Sequence, residues 1–143
     1  MQTSANLFLL AGATLSFTTA LLHFACIFWG SNGFRVLGAG NRIVRMAQAG
    51  HWYPPLIAFA IGSMLTAWSV YALSAGGFIK PLPLLRIALV TITAVYLLRA
   101  LAFPFLKPFF PGNSKDFWFF SSGICLFIGA IHLFGLIQVW ERI

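Results

Sequence analysis

The sequence predicts an all-α protein: an integral membrane four-helix bundle, with a short amphipathic interfacial helix between the first two helices. Hydrophobic residues make up 60% of the 143 positions and charged residues only 8%, too little charge to cover a water-soluble surface. The mean hydropathy is +0.91. Four apolar stretches are each long enough to cross the roughly 30 Å hydrocarbon core at about 1.5 Å per residue. We expect one transmembrane domain over residues 1–143, with spans at about 7–29, 53–73, 83–103 and 117–140.

The first stretch, residues 7–29, is predicted to be a retained span and not a cleaved secretory signal. No Lys or Arg precedes it, whereas a signal peptide has a basic start and an apolar core of only about 7–15 residues. Cys26 lies within this span and Cys125 within the fourth. A disulfide framework is therefore not expected.

The connection after the first span is predicted to contain the amphipathic helix. Polar and apolar residues occupy opposite arcs of a helical wheel. The polar arc consists of Arg35, Asn41, Arg42, Arg45 and Gln48. We expect the helix to cover residues 42–49, with Asn41 as N-cap and Gly50 ending it. Trp52 follows at the membrane interface, and two prolines then begin the second span. We interpret this helix as an interfacial anchor, with a docking surface for a partner protein as the alternative.

The connection after the third span, residues 104–116, is predicted to be non-helical because it contains three prolines and a Gly112–Asn113 turn signal. Two lysines and several aromatic residues share this region and the start of the fourth span: Phe105, Lys107, Phe109, Phe110, Lys115, Trp118, Phe119 and Phe120. Aromatic rings together with amines are typical of a membrane interface. We interpret these residues as a lipid-facing belt, with a substrate-gating lid as the alternative.

Positive charge is divided unevenly between the two sides of the predicted bundle. The basic residues of the first and third connections, which share one side, are Arg35, Arg42, Arg45, Lys107 and Lys115. We assign these five residues to the membrane interface, and only Lys80 and Arg142 lie in the connection and terminus opposite. The positive-inside rule then places the first and third connections in the cytoplasm and both termini in the periplasm. The net charge of +7 indicates contact with membrane lipids, and no nucleic-acid partner is expected.

In chain length and number of spans, the sequence resembles small bacterial four-span membrane proteins of the DoxX-like kind. The resemblance implies a compact helical fold in a bacterial inner membrane. It includes no diagnostic motif, so no residue role is transferred from that family.

Small and polar residues within the spans mark the faces that we expect to point into the bundle. At spacings of three and four or at longer helical intervals, these inward stripes are Gly12, Ser16, Thr19, His23 and Cys26; Ala58, Gly62, Thr66 and Ser69; Arg86, Thr93, Tyr96 and Ala100; and Ser122, Cys125, Gly129 and His132. A charge inside a span is costly and normally faces protein, water or a counter-ion. Arg99 either extends to the headgroups or, with Tyr96 and His23, binds an anionic or carbonyl-bearing ligand. The candidate ligand-binding residues are therefore His23, Tyr96, Arg99 and His132.

Metal and haem sites find less support. His23 and His132 lie in antiparallel spans, and their positions predict roughly 12–14 Å between them along the membrane normal at ~1.5 Å per residue. This separation counts against one haem iron held by both histidines. A copper or zinc site formed by His23, Cys26 and Cys125 is chemically reasonable, but no acidic ligand is nearby. We assign no metal ligand and no catalytic residue, and the cofactor is unknown.

The functional hypotheses follow from the small and polar residues that are predicted to line the interior of the bundle. The chain has no phosphate loop and no GxSxG, HExxH or CxxC motif, and its predicted spans have no carboxylate on which to build a proton-coupled transporter. The favoured hypothesis is a small multi-pass membrane protein that binds a lipid or quinone-like molecule or serves as an accessory subunit of a membrane complex. One alternative is a homo-oligomeric channel or transporter. Another is a membrane redox protein that uses haem or copper.

Overall fold

The computed structural model describes residues 5–110 and 112–143, and these residues form α-helices and short 3₁₀ turns without any β-strand. The helices are α1 (Leu7–Trp29), α2 (Ser31–Val36), α3 (Gly40–Gln48), α4 (Tyr53–Ala75), α5 (Leu85–Leu101), α6 (Phe103–Leu106) and α7 (Lys115–Val139). The 3₁₀ turns are Lys107–Phe109 and Trp140–Arg142. The all-α prediction is therefore confirmed.

Three of these helices, α1, α4 and α7, are long and apolar enough to cross a membrane. The fourth candidate span is a broken one, in which α5 is followed by α6 and its 3₁₀ turn at an angle of 63°. Each predicted span corresponds to one of the four long helices, with the ends differing by two residues or fewer, and the bounds of α1 agree at both ends.

The long helices form a four-helix bundle in which α1 packs against α4, α5 packs against α7, and contacts of α1 with α7 and of α4 with α5 join the two pairs. Asn6 connects three chain segments through hydrogen bonds. Its side chain caps α1 by accepting from the N–H of Leu9 at 2.9 Å and donates to Gln138 at 2.8 Å. Its own N–H donates to the carbonyl oxygen of Gly76 at 3.0 Å. The start of α1 thus meets the ends of α4 and α7, and we call this the distal end of the bundle.

The opposite end, which contains α2, α3, α6 and the start of α7, is called the basic end. Six of the nine basic residues lie there: Arg35, Arg42, Arg45, Arg99, Lys107 and Lys115. One of the two acidic residues, Asp116, lies at the same end. The basic end therefore has a net charge of +5 (six minus one) from these groups.

The buried apolar residues form three layers along the bundle. The distal layer consists of Leu9, Ala75, Leu89, Leu136 and Val139. The middle layer consists of Ala20, Leu65, Ile92, Tyr96 and Ile128. The layer at the basic end consists of Cys26, Phe34, Val44 and Ala58. Phe34 and Val44 come from α2 and α3, so the apolar face of α3 packs on the bundle itself.

Glycines set the distance between α1 and α7. A methyl group on Gly12 would lie 2.7 Å from Cε1 of His132, and one on Gly135 would lie 2.6 Å from the side chain of Leu9. Real Cβ atoms do not approach other atoms so closely. The two helices can therefore pack this tightly in the distal half only because both positions lack a side chain.

The first connection contains two helices, whereas the sequence analysis predicted one. Gly38 adopts a left-handed conformation with φ of +74°, which ends α2 and leaves Arg35 in a separate helix from Arg42. The predicted N-cap is also wrong, because α3 begins at Gly40 and Asn41 lies inside its first turn. Gly50 ends the helical region as predicted, with φ of +70°.

The third connection was wrongly predicted to be non-helical. Pro104 lies in the first turn of α6 and Pro108 in the first turn of the following 3₁₀ segment, where a missing N–H removes no hydrogen bond. Trp118 is a second correction, because it is 3% exposed and does not join the predicted lipid-facing belt. The other aromatic members of that group are exposed: Phe105, Phe109, Phe110, Phe119 and Phe120.

Arg86 was predicted on the inward stripe of α5, but its side chain is exposed. Its Nη2 donates to the carbonyl oxygen of Trp140 at 2.9 Å, and its Cζ lies 4.7 Å from the centre of the Trp140 ring. The long side chain reaches out of the bundle because Arg86 is in the first turn of α5, beside the end of α7. Thr93, Tyr96 and Ala100 are buried, as that stripe predicts.

Substitution of Gly12 by Ala tests the glycine contact. His132 is fully buried and cannot rotate away from the new methyl group, so we expect a loss of about 1–3 kcal/mol of unfolding free energy. Gly123→Ala is the control, since a methyl group there meets nothing within 4 Å; we expect it to be neutral or stabilising by up to about 1 kcal/mol. Unfolding in detergent, followed by tryptophan fluorescence, measures both. Equal stability of the two variants would contradict the assigned contact.

Candidate functional site

The predicted ligand-binding residues separate into two polar clusters. The central cluster contains Ser16, Tyr96 and His132, from α1, α5 and α7. The hydroxyl oxygens of Ser16 and Tyr96 lie 2.9 Å apart in a hydrogen bond. The rings of Tyr96 and His132 have centroids 5.4 Å apart, and Trp68 contacts Tyr96 edge-on at 5.2 Å. Ser16, Tyr96 and His132 are all at least 95% buried, so this cluster joins three helices at the centre of the bundle.

His132 has a defined tautomer. Its Nδ1 lies 2.9 Å from the carbonyl oxygen of Ile128, and a carbonyl can only accept, so Nδ1 carries the proton. Nε2 is then an acceptor, and it is buried without a hydrogen-bond partner among the described residues. The ring lies against Gly12 of α1. This packing occupies the space that a ligand at Nε2 would need.

The second cluster, which we call the arginine cluster, contains Arg99, Trp118, Ser121 and Ser122. The guanidinium of Arg99 donates from Nη2 to the Ser121 hydroxyl at 2.9 Å and from Nη1 to the Ser122 hydroxyl at 3.4 Å. Its Cζ also lies 5.1 Å from the centre of the Trp118 ring. Arg99 is two residues from the end of α5, and its side chain is held toward α7.

Hydrogen-bond donors outnumber acceptors in the arginine cluster. Five of the six threonines in the long helices donate to the carbonyl four residues earlier: Thr14, Thr18, Thr19, Thr66 and Thr93. Ser121 and Ser122 instead accept from Arg99, and no donation by either hydroxyl occurs within the described part of the chain. The buried Nε1 of Trp118 likewise has no acceptor there. The cluster therefore offers several donors and a positive charge to an acceptor-rich group.

His23 lies at the level of the arginine cluster along the bundle axis. Its Nδ1 donates to the carbonyl oxygen of Thr19 at 2.8 Å, and its ring is half-buried. Asn6 faces Gln138 and Gly12 faces His132, a register that sets His23 level with Ser121. His132 faces a position eleven residues before His23, about 16 Å away at 1.5 Å per residue. That distance is too long for two axial ligands of one haem iron.

Across the described residues, no three His, Cys, Asp or Glu side chains come together as a metal site requires. The thiol–imidazole site considered from His23, Cys26 and Cys125 is therefore not formed. Both cysteines are free thiols. The residues assigned to a membrane interface all have exposed side chains: Arg35, Arg42, Arg45, Trp52, Lys107 and Lys115.

An open apolar groove of about 530 Å³ lies between α1 and α7. Its lining residues are Leu15, Thr18 and Thr19 from α1 and Phe119, Phe120, Gly123, Ile124, Phe127 and Ile128 from α7. The close contacts of α1 with α7 occur at Asn6, Leu9 and Gly12, so the groove begins where these contacts end. It extends from the centre of the bundle toward the basic end.

Sequence reasoning missed part of this site. Ser122 was placed on an inward stripe, but Ser121 was not considered, and Trp118 was grouped with exposed aromatic residues. The one local signal for a polar position in this part of α7 is the pair Ser121–Ser122, which directly follows the four aromatic residues 117–120. Its connection to Arg99 depends on how α5 packs against α7, which the sequence pattern does not specify.

Comparison of the chain with protein-family models, curated proteins and solved structures finds no match. The chemistry of the site is therefore inferred from its geometry. The central cluster is closed and internally packed. The arginine cluster, with its excess of donors and its neighbouring groove, is the candidate binding site.

A double-mutant cycle tests the central cluster. Tyr96→Phe and Ser16→Ala each remove one partner of a buried hydrogen bond, and we expect a coupling of about 1 kcal/mol in the unfolding free energy. Tyr96→Phe combined with Arg86→Gln is the control, because these sites are about 15 Å apart on α5 and should be additive. Additivity of the Ser16 and Tyr96 substitutions would contradict the hydrogen bond.

Proposed function

We propose that this chain is an integral membrane protein with four spans, and that it binds a lipid or quinone-like molecule at the arginine cluster. The length and apolar character of α1, α4 and α7, together with the α5–α6 pair, support the membrane location. The low charge content of 8% supports it as well. Binding, without a catalytic step, is the function that the side chains near Arg99 favour.

The observation that carries the proposal is the environment of Arg99. Asp116 and Glu141 are the only acids in the chain, and neither forms an ion pair with Arg99 among the described residues. The guanidinium contacts two hydroxyls and an indole face, all neutral. A partly buried charge without a counter-ion is costly. A phosphate, carboxylate or carbonyl of a bound molecule would accept the unused hydrogen bonds and offset that cost.

An arginine that only extended to the headgroups would turn away from neighbouring helices. Arg99 instead makes two hydrogen bonds to α7, which supports a role inside the bundle. In this proposal the basic end faces the cytoplasm and the distal end faces the periplasm of a bacterial inner membrane. Membrane lipids are the immediate partners, and a place as an accessory subunit of a larger membrane complex is compatible with the same site.

Native mass spectrometry of protein released from mild detergent tests the proposal. We expect a discrete organic mass bound to the wild-type chain, retained about tenfold less by Arg99→Gln, because a hydrogen-bonded charge pair contributes at least about 1.5 kcal/mol. Arg86→Gln is the matched control, since that arginine lies at the distal end with its own partner. Equal retention by all three proteins would remove Arg99 from the site. A bare and uniform homo-oligomer would instead favour the channel or transporter hypothesis.

Cysteine labelling tests the orientation. In a background with Cys26 and Cys125 replaced by Ser, we expect Lys80→Cys to react with a membrane-impermeant maleimide added to spheroplasts. Arg45→Cys should react only after permeabilisation, because α3 then lies on the cytoplasmic side. Both wild-type side chains are exposed, so burial does not confuse the result. The reverse pattern would invert the proposed topology.

A further inference from the structure

We infer that the ligand is an anionic phospholipid, with its phosphate at the arginine cluster and one acyl chain in the groove between α1 and α7. This inference rests on the proposed function, since it names the ligand of the same site. Beyond the proposed function, it assigns the groove as a second part of the binding site and a negative charge to the lipid headgroup. Three observations carry it. Ser121 shares a face of α7 with residues that line the groove, the groove walls are apolar, and the basic end is positively charged.

The groove lies next to the arginine cluster along α7. Ser121, Ile124 and Ile128 are spaced by three and four residues on α7, so they share one face of that helix. Ile124 and Ile128 line the groove, and Ser121 accepts from Arg99. On α1, Thr19 lines the groove and His23 follows one turn later. A molecule in the groove therefore has Arg99 and His23 at the level of its head.

The groove walls suit hydrocarbon. Its two threonines satisfy their own hydroxyls, because Thr18 donates to the carbonyl oxygen of Thr14 and Thr19 to that of Leu15, each at 2.9 Å. The remaining lining side chains are apolar or Gly123. The volume of about 530 Å³ is in the usual range of small-molecule sites, about 300–1,000 Å³. Ser121, beside the groove on the same face of α7, is held by Arg99, so an apolar surface and a polar group lie next to each other as an amphiphile requires.

Charge favours an anionic lipid over a neutral quinone. The basic end carries six basic residues and one acidic residue. Each Lys or Arg near a surface increases the affinity for anionic lipid by about fivefold, and a quinone carbonyl gains little from this field. A phosphate also offers two charged oxygens to the forked donors of an arginine. The donor excess at Arg99, Trp118 and the two serines matches such a group.

A comparison of two lipids that have identical acyl chains and different headgroups tests the headgroup preference. Purified protein is stripped of lipid and titrated with dioleoyl phosphatidylglycerol or dioleoyl phosphatidylcholine in detergent, and bound lipid is counted by native mass spectrometry. We expect phosphatidylglycerol to bind at least about fivefold more tightly. Arg99→Gln should weaken phosphatidylglycerol binding at least about fivefold, because it removes the group that holds the phosphate, and Arg86→Gln should bind like the wild type.

Gly123→Trp tests the groove. Gly123 lines the groove, and a Cβ at this position would have no other atom within 4 Å, so an indole can occupy the groove without disturbing the packing of α7. We expect phosphatidylglycerol binding to fall at least about fivefold. Ala67→Trp, at an exposed position on α4, is the matched control and should bind normally. If Gly123→Trp melts at a clearly lower temperature than Ala67→Trp, Gly123→Leu replaces it.

The outcomes distinguish this inference from the proposed function. If Gly123→Trp binds phosphatidylglycerol like the wild type while Arg99→Gln does not, the groove assignment is wrong and the arginine cluster remains a binding site. Equal affinity for the two lipids overturns the anionic class. If the wild type binds neither lipid but keeps another organic mass that depends on Arg99, the phospholipid is wrong and the proposed function stands. If no mass depends on Arg99, both fail.

Discussion

The close contact between α1 and α7 in the distal half is the constraint on which the rest of the structure depends. Gly12 and Gly135 remove the Cβ atoms that would hold the two helices apart, and the space between them is filled by His132 and Leu9. This contact fixes the register of α1 against α7 and closes the distal half. Farther along, from Leu15 toward the basic end, the same two helices border the open groove.

Polar groups are treated differently in the two halves of the bundle. Near the centre the hydroxyls pair with one another or with a carbonyl oxygen, as in the Ser16–Tyr96 bond and the bond from Ser69 to the carbonyl oxygen of Ala13 at 2.8 Å, and Nε2 of His132 is the exception. Such pairs join α1 to α5 and to α4. Around Arg99 the opposite holds, because a guanidinium, two hydroxyls and an indole N–H share no anionic acceptor among the described residues. Donors without an acceptor inside a bundle destabilise the folded state. Their presence around Arg99 therefore supports the proposed binding role of this cluster.

The long helices were predictable and their connections were not. An apolar run of about 20 residues has few alternatives to a helix, so the bounds of α1 followed directly from the sequence. The first connection differed because one left-handed glycine, Gly38, divides an amphipathic pattern that looks continuous on a helical wheel. In the site, Arg99 stood out by its charge inside an apolar stretch. Its partners on α7, Ser121 above all, depend on helix packing, and the burial of Trp118 runs against its composition-based assignment to an interface.

Helix α5 is shorter than helix α1. It has 17 residues, about 26 Å, whereas α1 has 23, about 35 Å. The chain then bends by 63° into α6 instead of continuing across. In the proposed membrane location, a bilayer around this bundle would meet a hydrophobic mismatch on the side of α5, which local thinning would relieve. The thinned region would lie at the end of α5, beside Arg99, and the proposed membrane location would thus bring phosphates and water toward the guanidinium without any opening of the helices.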